Sequence, residues 1–251
     1  MKSEIPLNTL ILLSSILLAL HCFARRGKRT TVLCLLMGLG FGVFFPMSHV
    51  LIFRSYSFHF RYQILGLPPF LPLFWWCAFY ISLWLSERVA GSLNLVMRKP
   101  VFTAVLAGLA MLVMEIIWDD LAVRSGVLSF QNMSYLWYRP SFHSGIAPQI
   151  NAAHFVFAYV YVYTIERLEP LSEVTSLARL VIVGLLMMLS LFLVGLYFEI
   201  LRFGALDAWL TQTTALIADL GVSLVTTILC TLQTPWLFAA LGRVILREAS
   251  E

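Results

Sequence analysis

An all-α bundle of membrane-spanning helices is the fold that this 251-residue chain predicts, on three observations. The first is composition: 60% of the residues are hydrophobic and only 12% are charged. Second, the mean hydropathy is +0.87, outside the range of soluble domains. Third, the apolar residues gather into seven runs, each near the ~20 residues that a helix needs to cross ~30 Å of hydrocarbon. A single integral membrane domain over residues 1–251, with about seven helices, is therefore expected. Disorder needs low hydrophobicity with high charge, and a large soluble domain needs long polar stretches; the chain has neither.

The first run, residues 6–23, is followed by its basic cluster, Arg25, Arg26, Lys28 and Arg29, rather than preceded by it. A secretory signal carries its charge in front, so this run reads as a retained first helix. The second run covers 31–53. The segment 54–66 carries Tyr56, His59, Arg61 and Tyr62 and leads into Leu67-Pro68-Pro69-Phe70-Leu71-Pro72. Pro68 and Pro69 make a stiff entry to the third run, 67–85, and Pro72 suits a first helical turn, where N–H groups have no intrahelical acceptor. The fourth run, 101–121, opens into a connection, 124–149, rich in Phe130, Tyr135, Trp137, Tyr138 and Phe142. Runs five to seven cover 150–165, 178–201 and 216–241, the last containing Pro235. If alternate connections face the cytoplasm, the turns after runs 1, 3 and 5 and the C-terminal tail hold eleven of the 17 Lys and Arg, counting Arg179 at the start of run 6. The positive-inside rule then places the N-terminus outside and the C-terminus in the cytoplasm, in what is expected to be a prokaryotic cytoplasmic membrane. Both long connections fall on the outer side, where Tyr and Trp also collect as ordinary interface residues.

The net charge of +4 comes from basic residues scattered at run ends, with no basic stripe interleaved with aromatics, so nucleic acid is not an expected partner. Cys22, Cys34, Cys77 and Cys230 all lie in apolar stretches without a Cys-x-x-Cys pair. They read as small lipid-facing or packing residues rather than as disulfides or a zinc knuckle.

Charges within spans are unfavourable, and each is a candidate for function or for a structural ion pair. Glu115 and Asp119 lie four residues apart in the fourth run, one above the other on one helix face, with Asp120 beside them. Two acids so close in an apolar setting resist being ionised together. His49, Asn151, His154, Glu199, Arg202 and Asp219 fall at the same predicted depth, toward the outer side. Together they suggest one polar chamber. Each has a plainer reading: Glu115 and Asp119 could pair with Arg124 or Arg54, Glu199 with Arg202, and Asp219 could complement a helix dipole.

Several membrane chemistries leave no trace. The chain has no His-x-x-x-His set, His-Glu-x-x-His helix, Gly-x-Ser-x-Gly elbow or nucleotide-binding glycine loop. Asp119 and Asp120 are one fragment of the aspartate-rich motifs that diphosphate chemistry requires. No cofactor or metal is expected, although the carboxylates and imidazoles of Glu115, Asp119, His49 and His154 would suit iron, manganese or zinc. Proton chemistry on an apolar substrate fits the parts. An acid protonates an isoprenoid double bond, aromatic faces stabilise the tertiary carbocation, and water captures it.

Three patches also resemble a known family. Tyr56-Ser57-Phe58-His59-Phe60, followed by Leu65-Gly66-Leu67-Pro68 and Pro72-Leu73-Phe74-Trp75, resembles the Tyr-x-Tyr, Gly-x-Pro and Pro-Leu-x-Trp pattern of the membrane carotenoid hydratases. These include bisanhydrobacterioruberin hydratase and the cyanobacterial carotenoid 1,2-hydratases. The stretch from Glu115 to Gly126 is similar to that family's Asp-x-x-x-Asp-Pro-x-Ala-x-x-x-Gly segment, with Glu115 in place of the first Asp and Asp120 in place of Pro. Gly145-Ile146-Ala147-Pro148-Gln149-Ile150-Asn151 resembles its Gly-Ile-Pro-x-x-Asn segment. The second run lacks the acid usual in the family, and His49 stands at that depth.

The resemblance implies a lyase: a cofactor-free hydratase adding water to a terminal isoprenoid double bond of a linear carotenoid or related polyene. Its partners would be that substrate, membrane lipid and other carotenoid biosynthetic enzymes. Asp119 is the expected general acid, assisted by Glu115, with Asn151 and His154 orienting water and His49 in support. Tyr56, Tyr62, Trp75, Trp118 and Tyr138 are the expected substrate-facing residues. Two alternatives remain: a non-catalytic polyene- or quinone-binding protein, which would tolerate loss of the acids, and a proton-coupled transporter.

Overall fold

Every apolar run read from the sequence overlaps a helix. The computed structural model describes residues 4–47, 50–51, 56–92, 100–130, 148–205 and 212–246. They form α1 (Glu4–Met47), β1 (Tyr56–Phe58), α2 (Leu71–Ser92), α3 (Pro100–Arg124), β2 (Leu128–Phe130), α4 (Pro148–Leu168), a single 3-10 turn (Glu169–Leu171), α5 (Leu177–Ala205) and α6 (Gln212–Leu246). Among the described residues, three segments are long and apolar enough to cross a membrane: Leu7–Met47, Pro100–Arg124 and Leu224–Ile245.

The elements differ from the expected seven runs in three places. The first two runs form one 44-residue element, α1, bent at Gly27 with φ 78° and ψ 173°. That backbone conformation is open essentially to glycine alone, so a single residue replaces the polar loop expected between the runs. Helix α2 begins at Leu71 rather than Leu67. The chain first makes a tight turn in which Ile64 and Leu67 exchange backbone hydrogen bonds of 2.8 and 3.0 Å, leaving Pro72 in the first helical turn. The third difference was not expected at all: β1 and β2 pair antiparallel, with Ser57 opposite Ser129 and Phe58 opposite Leu128. The connections after α1 and α3 are thus joined by a backbone ribbon. Gly126, at φ 73°, turns the chain from α3 into it, and Val127 N–H donates back to the Ala122 carbonyl at 3.1 Å.

Helix α4 runs through the middle and packs on α1, α2, α3, α5 and α6. Its residues from Val156 to Ile165 are all buried, as expected of a helix apolar on every side. Tyr161 lies flat against Phe79 of α2, ring centroids 4.9 Å apart, and its hydroxyl donates to the Cys34 carbonyl of α1 at 2.9 Å. Gly108 lets α3 come close to α4, since a Cβ there would sit 2.7 Å from the Phe155 ring. All four cysteines are buried and free, which makes them packing rather than lipid-facing residues.

The bend of α1 is pinned by charge. The Arg26 side chain, 5% exposed, meets Glu87 of α2, Glu166 of α4 at 3.4 Å and Glu169 at 2.5 Å, while Arg25 pairs with Glu87 at 2.9 Å. Arg29 donates to the carbonyls of Ser172 at 2.5 Å and Thr175 at 3.4 Å. Burial lifts the Glu169 carboxyl above its ordinary range, and the Arg26 guanidinium pulls it partly back. A basic cluster read as a topology signal therefore also holds α1, α2 and α4 together at one end of the bundle.

Candidate functional site

At the other end of the bundle lies a cavity of about 520 Å³. The ends of four helices and the ribbon build it. Phe45 comes from α1, Phe74 and Trp75 from α2, Glu115, Trp118 and Asp119 from α3, and His154 from α4. Phe58 of β1 and Leu128 of β2 add the ribbon's side, with Phe60 and Phe70 edge to face at 5.1 Å. The first turns of α1 contribute Leu7 and Leu10.

Within this apolar lining three ionisable side chains meet. The i, i+4 spacing sets Glu115 above Asp119 on one face of α3, and the close approach at Gly108 brings α4 near enough to offer His154. The residues are 2%, 6% and 3% exposed. His154 Nδ1 lies 3.9 Å from Glu115 Oε2, and one ligating atom from each residue falls within 4.8 Å of the others. Asp119 Oδ2 is buried with no hydrogen-bond partner among the described residues. The His154 ring is fixed by aromatics, 5.0 Å from Trp75 and 6.0 Å from Phe45 between centroids. On the wall, Trp118 stacks on Phe74 at 4.6 Å.

Two carboxyl groups shut away from water require a balancing proton or cation. Arg124 lies one turn on and pairs with Asp120 at 2.8 Å. The chemistry open to the cluster is thus proton transfer to, or cation-assisted attack on, an apolar guest held against aromatic faces.

Of the residues expected from sequence, the structure brings Glu115, Asp119, His154, Trp75 and Trp118 to one cavity. Tyr62 stands away from it: it is 65% exposed, with the Arg61 guanidinium 5.4 Å from its ring centre. An aromatic at an interface and one in a site look alike in sequence. Tyr56 lies in β1 beside the cavity-lining Phe58, and Asn151 in α4, one turn before His154. Their side chains, and those of Glu199, Arg202 and Asp219, lie outside the described residues. His49, Arg54 and Tyr138 lie wholly outside them. The aromatic cavity residues that sequence reasoning did not assign to the site are Phe45, Phe58, Phe60, Phe70 and Phe74. Phe41 and Phe45, stacked 5.3 Å apart one turn from each other, were the one available signal, and the same spacing marks any packed helix face.

Comparison with protein-family models, curated proteins and solved structures gives no match to the chain.

Proposed function

We propose that the protein is an intramembrane hydratase that adds water to a terminal isoprenoid double bond of a linear polyene of the carotenoid class. The observation that carries this reading is the meeting of Glu115, Asp119 and His154 inside an aromatic cavity. Three long apolar segments support a membrane location, and the positive-inside pattern favours an orientation with the cavity end outside and the Arg26 end in the cytoplasm.

The cavity's size supports chemistry at a chain end. Pockets of roughly 300–1,000 Å³ hold drug-sized ligands. At about 520 Å³ the cavity takes one terminus of a long polyene and leaves the rest of the chain in the bilayer. The cluster delivers a proton to the less substituted carbon of the terminal double bond, with Asp119 as the donor and Glu115 and His154 holding it in place. The positive charge then sits on the tertiary carbon. Trp75, Trp118 and Phe45 offer it π faces, and water adds and returns its proton to the cluster.

The test is expression in a bacterial host that accumulates lycopene, followed by chromatography and mass spectrometry of the pigments. A new species heavier by one water, lost with Asp119→Asn, supports the reading. Lycopene left unchanged while the folded protein is present in the membrane would count against it, and unchanged pigment co-purifying with the protein would favour a carrier instead.

A further inference from the structure

We propose that Glu115, Asp119 and His154 bind one divalent transition-metal cation, and that this cation's water is the proton donor in the cavity. The binding site rests on geometry alone; the role of the water rests on the hydratase reading.

Three features carry the site. The donor set is two carboxylates and one imidazole, which together suit zinc, iron(II) or manganese and leave coordination positions open. The three donors come from two rigid helices rather than from a loop: Glu115 and Asp119 one turn apart on α3, and His154 facing them from α4. Their ligating atoms lie within 4.8 Å of one another, a spacing that a cation at ordinary bond lengths of about 2.0–2.2 Å draws together with small side-chain rotations. A second observation points independently to a ligand. Asp119 is 6% exposed, and its buried Oδ2 meets no hydrogen-bond donor among the described residues, in a cavity whose lining is otherwise almost wholly apolar. A carboxylate oxygen stranded in that way is what a cation satisfies.

The open coordination positions give the site its chemistry. A bound cation acidifies its water, to a pKa near 7 for zinc. That water gives a proton to the alkene, forming one C–H bond, breaking the π bond and leaving hydroxide on the cation and positive charge on the tertiary carbon. The hydroxide then forms the C–O bond, and a fresh water refills the position. The sum is alkene plus water to tertiary alcohol, with no change of oxidation state at the metal. Asp119 then acts as a ligand rather than as the donor itself, and loss of either role abolishes hydration, so activity of the variant alone does not separate them.

Metal content does. The full chain, purified in detergent without chelator and with its affinity tag removed, is analysed for zinc, iron and manganese as isolated and after incubation with each ion and desalting. About one equivalent per chain is expected, falling at least tenfold in Asp119→Asn and in Glu115→Gln. The exposed Glu173→Gln variant should keep it. Thermal unfolding and gel filtration of the isosteric variants establish that they are folded. Content below about 0.1 equivalent after incubation with every ion, or equal content in the folded Asp119→Asn chain, overturns the site. Full hydration of lycopene by such metal-free protein would overturn it while leaving the hydratase reading intact. A cation bound by the native cluster, with no polyene hydrated, would sustain the site and sink the hydratase reading.

Discussion

Asp119 and Glu115 are where substitution should separate chemistry from structure. Asn and Gln keep the shape of each side chain while removing the acid, so Asp119→Asn and Glu115→Gln should each lower hydration by roughly 10²-fold or more with little loss of folded protein. Pigment conversion per unit of membrane-inserted protein measures this. Trp118 is half-buried on the cavity wall against Phe74, so Trp118→Leu keeps apolar bulk but removes a π face. It should slow conversion about 2- to 30-fold, the kinetic equivalent of a cation–π contact of roughly 0.5–2 kcal/mol. At this scale the sequence was informative where a side chain stood out from its surroundings. A carboxylate in an apolar helix is conspicuous, and so is a histidine, and Glu115, Asp119 and His154 do come together. Phe45 and Phe74 were not legible, because an aromatic among aromatics carries no mark of whether it faces a cavity or a neighbouring helix.

The bend of α1 is the element that one atom can test. A Cβ at Gly27 has open space around it, with nothing within 4 Å, so the strain in Gly27→Ala comes from φ 78° and ψ 173° alone. The expected loss is about 1–3 kcal/mol, read as a lowered unfolding temperature in detergent. Arg26→Ala should be worse for a different reason. It strips the cation from Glu87, Glu166 and Glu169, and because those carboxylates keep partial access to solvent the cost should be about 2–3 kcal/mol, below that of a fully buried pair. Hydration should survive in the fraction that stays folded, since the network lies at the far end from the cavity. Helix positions were readable from apolar runs, whereas their joints were not. A one-residue bend leaves no polar gap to detect, and two three-residue strands are too short to show alternation, so the β1–β2 ribbon had no signature in the chain.

Across the whole molecule, ionic contacts hold one end and an apolar chamber opens the other, with α4 passing through both. Orientation is the prediction that belongs here. A phosphatase reporter fused after α6 should be inactive and a fluorescent-protein reporter bright if the C-terminus lies in the cytoplasm; the reverse pattern would turn the bundle over and place the cavity on the inner side. Each of the six helices among the described residues overlaps an apolar run, because hydropathy reports the length of buried apolar chain whatever it packs against. It could not say which run sits in the centre. The residues of α4 are no more apolar than those of α5, and only packing reveals that α4 touches all of the other helices.

Every described residue that lines the cavity falls between Leu7 and His154. Among the described residues, α5 packs on both α1 and α4, and α6 packs on α4, so the two helices back the cavity-lining helices without entering the lining themselves. The chain is therefore divided in labour along its length. Its first three-fifths line the cavity, and the remainder packs as a buttress behind α1 and α4. Sequence drift in the two halves should accordingly be felt differently, in the first as altered choice of substrate and in the second as altered heat tolerance. The last two helices are also the part that a second subunit or an unrelated helical hairpin could replace without rebuilding the chamber.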